Sequence, residues 1–219
     1  MPEIIPTGSR MQSAARITRP PKAAADAVAA FGRPVRHFSV DQYHRMIDAE
    51  ILTEGERCEL IHGIILEKPV PGPSHSKSTR RLLRRLVAFF PEPEWVVGIQ
   101  DSITLVDSEP EPDFYAAIGP EEKYDKRHPE PEDLALVIEV SDSTARFDRR
   151  TKLPMYAAAF VPEFWIIDVK ARCIEVHNQP RGGKKPGYRK QVVYRAGDTV
   201  PISTGGKRLG NVPASDLLP

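Results

Sequence analysis

The sequence predicts an α/β or α+β domain with helices flanking a mixed sheet. Strand-like runs dominate, and two long helical segments are inserted between them, which suits a layered sheet better than a bundle. The two clearest strands, Leu134-Ala-Leu-Val-Ile-Glu-Val140 and Phe164-Trp-Ile-Ile-Asp-Val169, are nearly all apolar, as strands covered on both faces are. At 219 residues, one domain with a sizeable core is the default.

In chain order, residues 1–36 carry Pro, Ala and Arg without a sustained period. They read as a weakly ordered arm, with an Ala-rich helix over Lys22–Phe31. The domain then occupies residues 37–219. Ser39-Val-Asp-Gln42 has the form of a capping box and opens a helix to about Ala49. Thr53–Glu56 is a turn, and Cys58–Lys68 reads as one strand rich in β-branched residues. Pro69–Pro73 ends it. The strongest helix follows, Ser74 to about Phe90, with Leu82, Leu83, Leu86, Val87 and Phe90 on one face and four arginines on the other. Trp95–Gln100 and Ser102–Val106 read as short strands, and Asp107–Glu111 as an acidic turn. Asp113–Ile118 begins another strand. Beyond Val169, Cys173–Gln179 and Tyr188–Arg195 are strands joined by the basic loop 181–187. Gly197–Pro219 has turn chemistry with a little strand near Val200–Ile202.

Bulk composition narrows the function. Hydrophobic residues are 40% and charged residues 28%, as in soluble globular proteins. With 31 basic and 30 acidic residues the formal charge is +1. No global field draws the chain to nucleic acid, so such binding needs a local patch. Cys58 and Cys173 lack metal-ligand spacing and read as reduced buried thiols. No apolar run is long enough to span a bilayer. Met1-Pro-Glu-Ile-Ile-Pro6 lacks the basic start of a secretory signal. A cytoplasmic protein is the expectation.

Three residues carry the chemistry. Glu139 stands inside an apolar strand, where a carboxylate is costly unless paired, hydrogen-bonded or metal-bound. An edge position or a salt bridge to an arginine would also explain it. Asp113 stands where a neighbouring strand begins; alone it is an ordinary turn aspartate after proline. Together, two strand carboxylates aimed at one spot suit Mg²⁺, which takes few protein ligands and keeps its water. Asp148, Lys152 and Tyr156 share a face of the next helix, either as a solvated Asp–Lys pair or as part of a site at the strand's end. A metal, an acidic pair and a lysine are what phosphodiester hydrolysis requires.

The order of motifs resembles a known family. Glu59-Leu-Ile-His-Gly63, His75, Pro112-Asp113, Val137-Ile-Glu-Val-Ser-Asp-Ser-Thr144, Asp148, Lys152, Tyr156 and Val161-Pro-Glu-Phe-Trp165-Ile-Ile-Asp168 are similar to the Uma-type restriction endonuclease family of the PD-(D/E)XK nuclease superfamily. The likeness covers about Phe38 to Gln179. It implies a restriction-endonuclease-like mixed β-sheet flanked by helices and a metal-dependent DNA endonuclease using Mg²⁺, for which Mn²⁺ can substitute. Asp113 and Glu139 match the metal-binding acids, Glu59 the family's additional N-terminal acid. The superfamily's lysine position two residues after the second acid is Ser141 here; a lysine on the following helix takes the role, matching Lys152. The family's Asp and Glu around the glycine are His62 and Ile64 in this chain, which departs from the pattern. A catalytically silent nucleic-acid-binding or interaction module on the same fold is the alternative. Two-strand cleavage would be simplest for a symmetric homodimer.

Weaker signals remain. His75 could contact phosphate or cap its helix, and Arg80 and Arg84 could lie along DNA phosphates or form a solvated face. His44, His128 and His177 have no paired ligands in the sequence and read as surface or structural residues. Gly182-Gly-Lys184 and Gly205-Gly-Lys207 lack the full phosphate-loop pattern and read as turns.

Overall fold

The computed structural model describes residues 34–53 and 55–219. The expected arm at 1–36, for all but its last three residues, lies outside the described residues, as does its helix at Lys22–Phe31; Glu54 of the expected turn is also outside them. Chain order is α1 (Val40–Asp48), β1 (Cys58–Ile61), β2 (Ile64–Glu67), α2 (Pro73–Leu86), β3 (Trp95–Gly98), β4 (Phe114–Ile118) and β5 (Leu134–Ser141). A composite helix, α3 (145–158), comes next. β6 (Glu163–Asp168), β7 (Cys173–Arg181), β8 (Gly187–Arg195), β9 (Thr199–Thr204) and β10 (Lys207–Pro213) complete the order.

One six-stranded sheet, ordered β3-β4-β5-β6-β7-β8, organises the rest. Among the described strands only β5 and β6 run parallel; their connection is α3, because parallel neighbours need a crossover long enough to return the chain. The sheet is therefore mixed, as expected. All eight residues of β5 are buried because both faces are covered. Phe114, Ile138, Trp165 and Ile167 alternate onto a face packed by Leu82 and Leu86 of α2, the β9–β10 hairpin and the C-terminal residues. Tyr115, Val137, Phe164 and Ile166 point to the other face, against Met155 and Tyr156 of α3. The period of two puts Glu139 on this second face with Val137.

Local chemistry explains several boundaries. The Ser39 capping box forms as expected. Cys58–Lys68 is not one strand but a hairpin. His62 (φ 50°) and Gly63 (φ 76°) both take positive φ, as a tight two-residue hairpin turn requires. A Cβ on Gly63 would also meet the Phe38 carbonyl at 2.9 Å. α2 ends at Leu86 in a single 3₁₀ turn, Val87–Phe89. Leu82, Leu86 and Phe90 are buried, but Leu83 and Val87 are exposed; the apolar stripe is narrower than its sequence. Segment 101–106 forms no strand, although Ile103 and Leu105 are buried. The C-terminal stretch holds more structure than its turn residues suggest. β9 and β10 pair antiparallel and bury Val200, Ile202 and Val212. Both cysteines are free; Cys173 is buried as expected, whereas Cys58 is only partly buried.

Candidate active site

The site forms where β4, β5 and α3 meet. Pairing of Phe114 with Ile138 sets Asp113, the residue before β4, beside Glu139 on the adjacent strand. Asp113 is fixed by three donors. The Val140 N–H donates to Oδ2 at 2.8 Å, Gln100 Nε2 donates to Oδ1 at 3.1 Å, and His75 Nε2 lies 3.1 Å from Oδ2. Burial alone would raise the Asp113 carboxyl. The His75 hydrogen bond and charge, with the Val140 and Gln100 donors, outweigh burial and hold it below the ordinary range.

Glu139 is 5% exposed. Lys152 Nζ donates to its Oε1 at 3.0 Å and Tyr156 Oη at 2.9 Å. Burial pushes this carboxyl up to about 8 despite the Lys152 ammonium, and the Asp148, Asp113 and Glu59 carboxylates push the same way. Lys152 does not face solvent. Burial disfavours its charge, but Glu139, Glu59 and Asp148 more than compensate and keep it protonated. Its Nζ also lies 3.0 Å from Glu59 Oε2. That contact is an ion pair without hydrogen-bond geometry, so Glu59 Oε2 is buried and lacks a hydrogen bond.

The helix delivering Lys152 is irregular. After one α-helical turn, Ala145–Phe147, it widens into a π turn over Asp148–Lys152 and returns to α-helix at Leu153–Ala158. Leu153 N–H bonds to Asp148 O, five residues back. Pro154 follows, with no N–H for the carbonyl four residues earlier. Such π turns recur at functional sites. Asp148 does not pair with Lys152 on a solvated face. It is buried and accepts Ser141 Oγ at 2.6 Å and Thr144 Oγ1 at 2.7 Å. Ser141, at the superfamily's usual lysine position, thus steadies the helix start.

Glu59, Asp113, Glu139, Lys152 and His75 all line one cavity of about 470 Å³. Arg80 and Arg84 do not line it; both are exposed on α2. Neighbouring arginines are engaged elsewhere, Arg81 with the Leu218 and Ser215 carbonyls and Arg85 with Asp216. Sequence reasoning missed Gln100, which binds Asp113, and missed that His75, which makes no cap to its helix, grips Asp113. No sequence spacing marks Gln100. His62, in place of the family's aspartate, pairs with Asp107 and does not line the cavity.

The donor set fits a hard divalent cation. Seven acidic side chains line the cavity against Arg57, Lys68, Lys152 and His75, so an anionic substrate is repelled unless cations enter first. Asp113 and Glu139 offer oxygen donors, which Mg²⁺ and Mn²⁺ prefer. Glu139 Oε2 accepts none of the hydrogen bonds among the described residues, while Oε1 takes both of its donors.

Comparison with known proteins agrees with this architecture. The family model Uma2, described as "Putative restriction endonuclease", matches residues 40–207. The crystal structure of "a putative nuclease belonging to DUF820" from Anabaena variabilis ATCC 29413 is similar, with a TM-score of 0.58 and 14% identity over 82% of this chain and 97% of that one. At this identity the likeness is one of fold. A search of curated proteins finds no match.

Proposed function

Because the chain belongs to the Uma2 restriction endonuclease family, we propose that it is a metal-dependent endonuclease that hydrolyses phosphodiester bonds in DNA. The convergence of Asp113, Glu139 and Lys152 on one acidic cavity carries this reading. Asp113 and Glu139 would hold Mg²⁺, with Mn²⁺ able to replace it. Such an ion lowers the pKa of its bound water and neutralises charge growing on the phosphate.

The chain's own groups supply the rest. Lys152, fixed between Glu139 and Glu59, holds its ammonium in a water-poor cleft, where charge acts more strongly than in bulk solvent. It orients the attacking water and stabilises the charged transition state. Tyr156 and Lys152 hold one Glu139 oxygen and leave the other for the cation. His75, Gln100 and the Val140 N–H hold Asp113 ionised and aimed. Glu59 completes the acidic cluster and balances Lys152. His75 at the cavity and Arg80 and Arg84 outside it are the candidate contacts to DNA, and a symmetric pair of chains would place two such sites on two strands.

Plasmid nicking by the purified protein tests the reading. Mg²⁺-dependent nicking should be lost in Asp113→Ala and Glu139→Ala. Nicking that survives both substitutions identifies a contaminant. DNA binding without cleavage favours a silent binding module instead. A Mn²⁺ soak should show anomalous density between Asp113 and Glu139.

A further inference from the structure

A second group of metal-type ligands lies outside the cavity. His44 on α1, Glu109 in the 99–113 connection and His128 in the 119–133 connection converge. One ligand atom from each lies within 4.8 Å of the others. His44 Nε2 is 2.6 Å from Glu109 Oε1, and His128 Nε2 is 3.8 Å from the same oxygen. The sequence shows neither histidine with a partner, since they stand 84 positions apart. The fold corrects that reading.

The cluster is built rather than incidental. Glu109 is 2% exposed, a costly place for a carboxylate. Its second oxygen accepts Thr104 Oγ1 at 3.0 Å, which leaves Oε1 facing both imidazoles. Its backbone is pinned to β1 by the Leu60 carbonyl, 2.7 Å from Glu109 N. Thr104 N in turn donates to the Pro129 carbonyl beside His128 at 2.9 Å. A carboxylate held on one oxygen and turned toward a site on the other has the outer support that metal ligands need. Both histidines are partly exposed, at 41% and 42% of their side chains; an ion can reach them, and the rings can turn.

We propose that His44, Glu109 and His128 form a second metal site, for a borderline-soft divalent ion of the Zn²⁺ class. Two imidazoles and one carboxylate are a Zn²⁺ ligand set, with the fourth position left to water. Around a tetrahedral ion with bonds of about 2.0–2.1 Å, ligand atoms stand roughly 3.4 Å apart. The observed 2.6 and 3.8 Å bracket that spacing, within reach of small rotations of the exposed rings. Imidazole donors distinguish this site from the all-oxygen pair Asp113 and Glu139, which suits harder ions. The ion would clamp α1 and two long connections to β1, whose Glu59 lines the active cavity. The site stands whether or not the chain cleaves DNA.

Equilibrium dialysis of the metal-stripped chain against Zn²⁺ tests the site, with thermal melting as a second readout. Wild type should bind one equivalent that the Asp113→Asn, Glu139→Gln double variant keeps. His128→Ala and His44→Gln each remove a direct ligand and should weaken that binding by at least about 100-fold, the upper end of what losing an outer partner costs. Zn²⁺ should raise the melting temperature of wild type and not of either histidine variant. His128→Ala is the decisive variant, because a half-exposed ring 3.8 Å from its partner contributes little to folding without an ion. Co²⁺ in place of Zn²⁺ should give a visible ligand-field band that His128→Ala abolishes. The proposal is overturned if wild type binds no Zn²⁺, if both histidine variants bind it as well as wild type, or if the equivalent disappears only with Asp113 and Glu139. The first of these outcomes would mean that His44 simply compensates the Glu109 charge.

Discussion

At the scale of single residues, the site turns on which charges the fold buries beside which partners. Lys152 is buried between Glu139 and Glu59. Removing one partner of a buried pair leaves the other charge uncompensated, which costs about 3–5 kcal/mol unless it neutralises by taking up a proton. Lys152→Ala should therefore lower nicking about 10²–10³-fold, measured as single-turnover plasmid cleavage at saturating Mg²⁺. Glu139→Gln should cost less folding stability than Lys152→Ala, because it removes a charge that burial already disfavours; urea denaturation of the metal-free variants decides this. Glu139 also sets a pH dependence. Its carboxyl is pushed up to about 8, so below that pH a cation must displace a proton. Metal affinity should rise about tenfold per pH unit up to about pH 8 and level off above it, as read by Mn²⁺ titration calorimetry from pH 6 to 9. An affinity flat across that range would mean that Glu139 is ionised throughout.

Secondary-structure elements position those charges, and some positions tolerate no added atom. On β3, a Cβ at Gly98 would lie 2.1 Å from the Tyr115 ring. That ring is buried and donates through its hydroxyl to Asp101 at 2.7 Å. Gly98→Ala should destabilise the fold by about 1–3 kcal/mol, seen as a lower urea midpoint with an unchanged slope. Elements also show where local sequence was legible. Strands β4, β5 and β6 stood out as apolar runs because both faces are covered, and α1 because its capping box is a local device. The β1–β2 hairpin was missed because His-Gly is a weaker turn signal than Asn-Gly or Asp-Gly. The β9–β10 hairpin was missed because its inward residues, Val200, Ile202 and Val212, are diluted by Gly, Lys and Arg. The π turn in α3 had one sequence mark, Pro154, which alone cannot say how the helix will adjust.

For the molecule as a whole, stability depends on buried charge at both ends of the sheet. Asp133, at the entry to β5, is 2% exposed. It takes Arg127 Nη1 at 2.7 Å, the Glu130 N–H at 3.0 Å and Lys123. Burial alone would raise its carboxyl, but these donors hold it down to about 2. A depressed acid stabilises the fold above its unfolded pKa, and the benefit disappears as pH falls through the folded value. Asp133 should therefore support stability fully above about pH 4 and lose its contribution between about pH 4 and 2. Asp133→Asn should flatten that part of the acid-unfolding curve and lower stability at pH 7 by about 1–3 kcal/mol, measured by urea denaturation at several pH values. The Arg149 link to Asp168 and Glu175 is a second such anchor, on β6 and β7.

The sequence by itself determined that Glu139 lies on a strand, that Asp113 stands at the entry to its neighbour, one residue before β4 rather than on it, and that Lys152 lies on the following helix. Hydrophobic periodicity and the motif order carry that information locally. Only the tertiary structure decided that Lys152 turns inward to Glu139 and Glu59 rather than outward with Asp148. That choice depends on the strand register that sets Asp113 beside Glu139, on β1 reaching the cavity from far upstream, and on the π turn. It likewise decided that His75 and Gln100 grip Asp113, and that His44, Glu109 and His128 meet at all. These are contacts between positions 13 or more residues apart, and no local pattern records them, because they arise from how the sheet stacks its layers. The stretch around Asp113, Glu139 and Lys152 is thus legible as chemistry in the chain and as a site only in the fold.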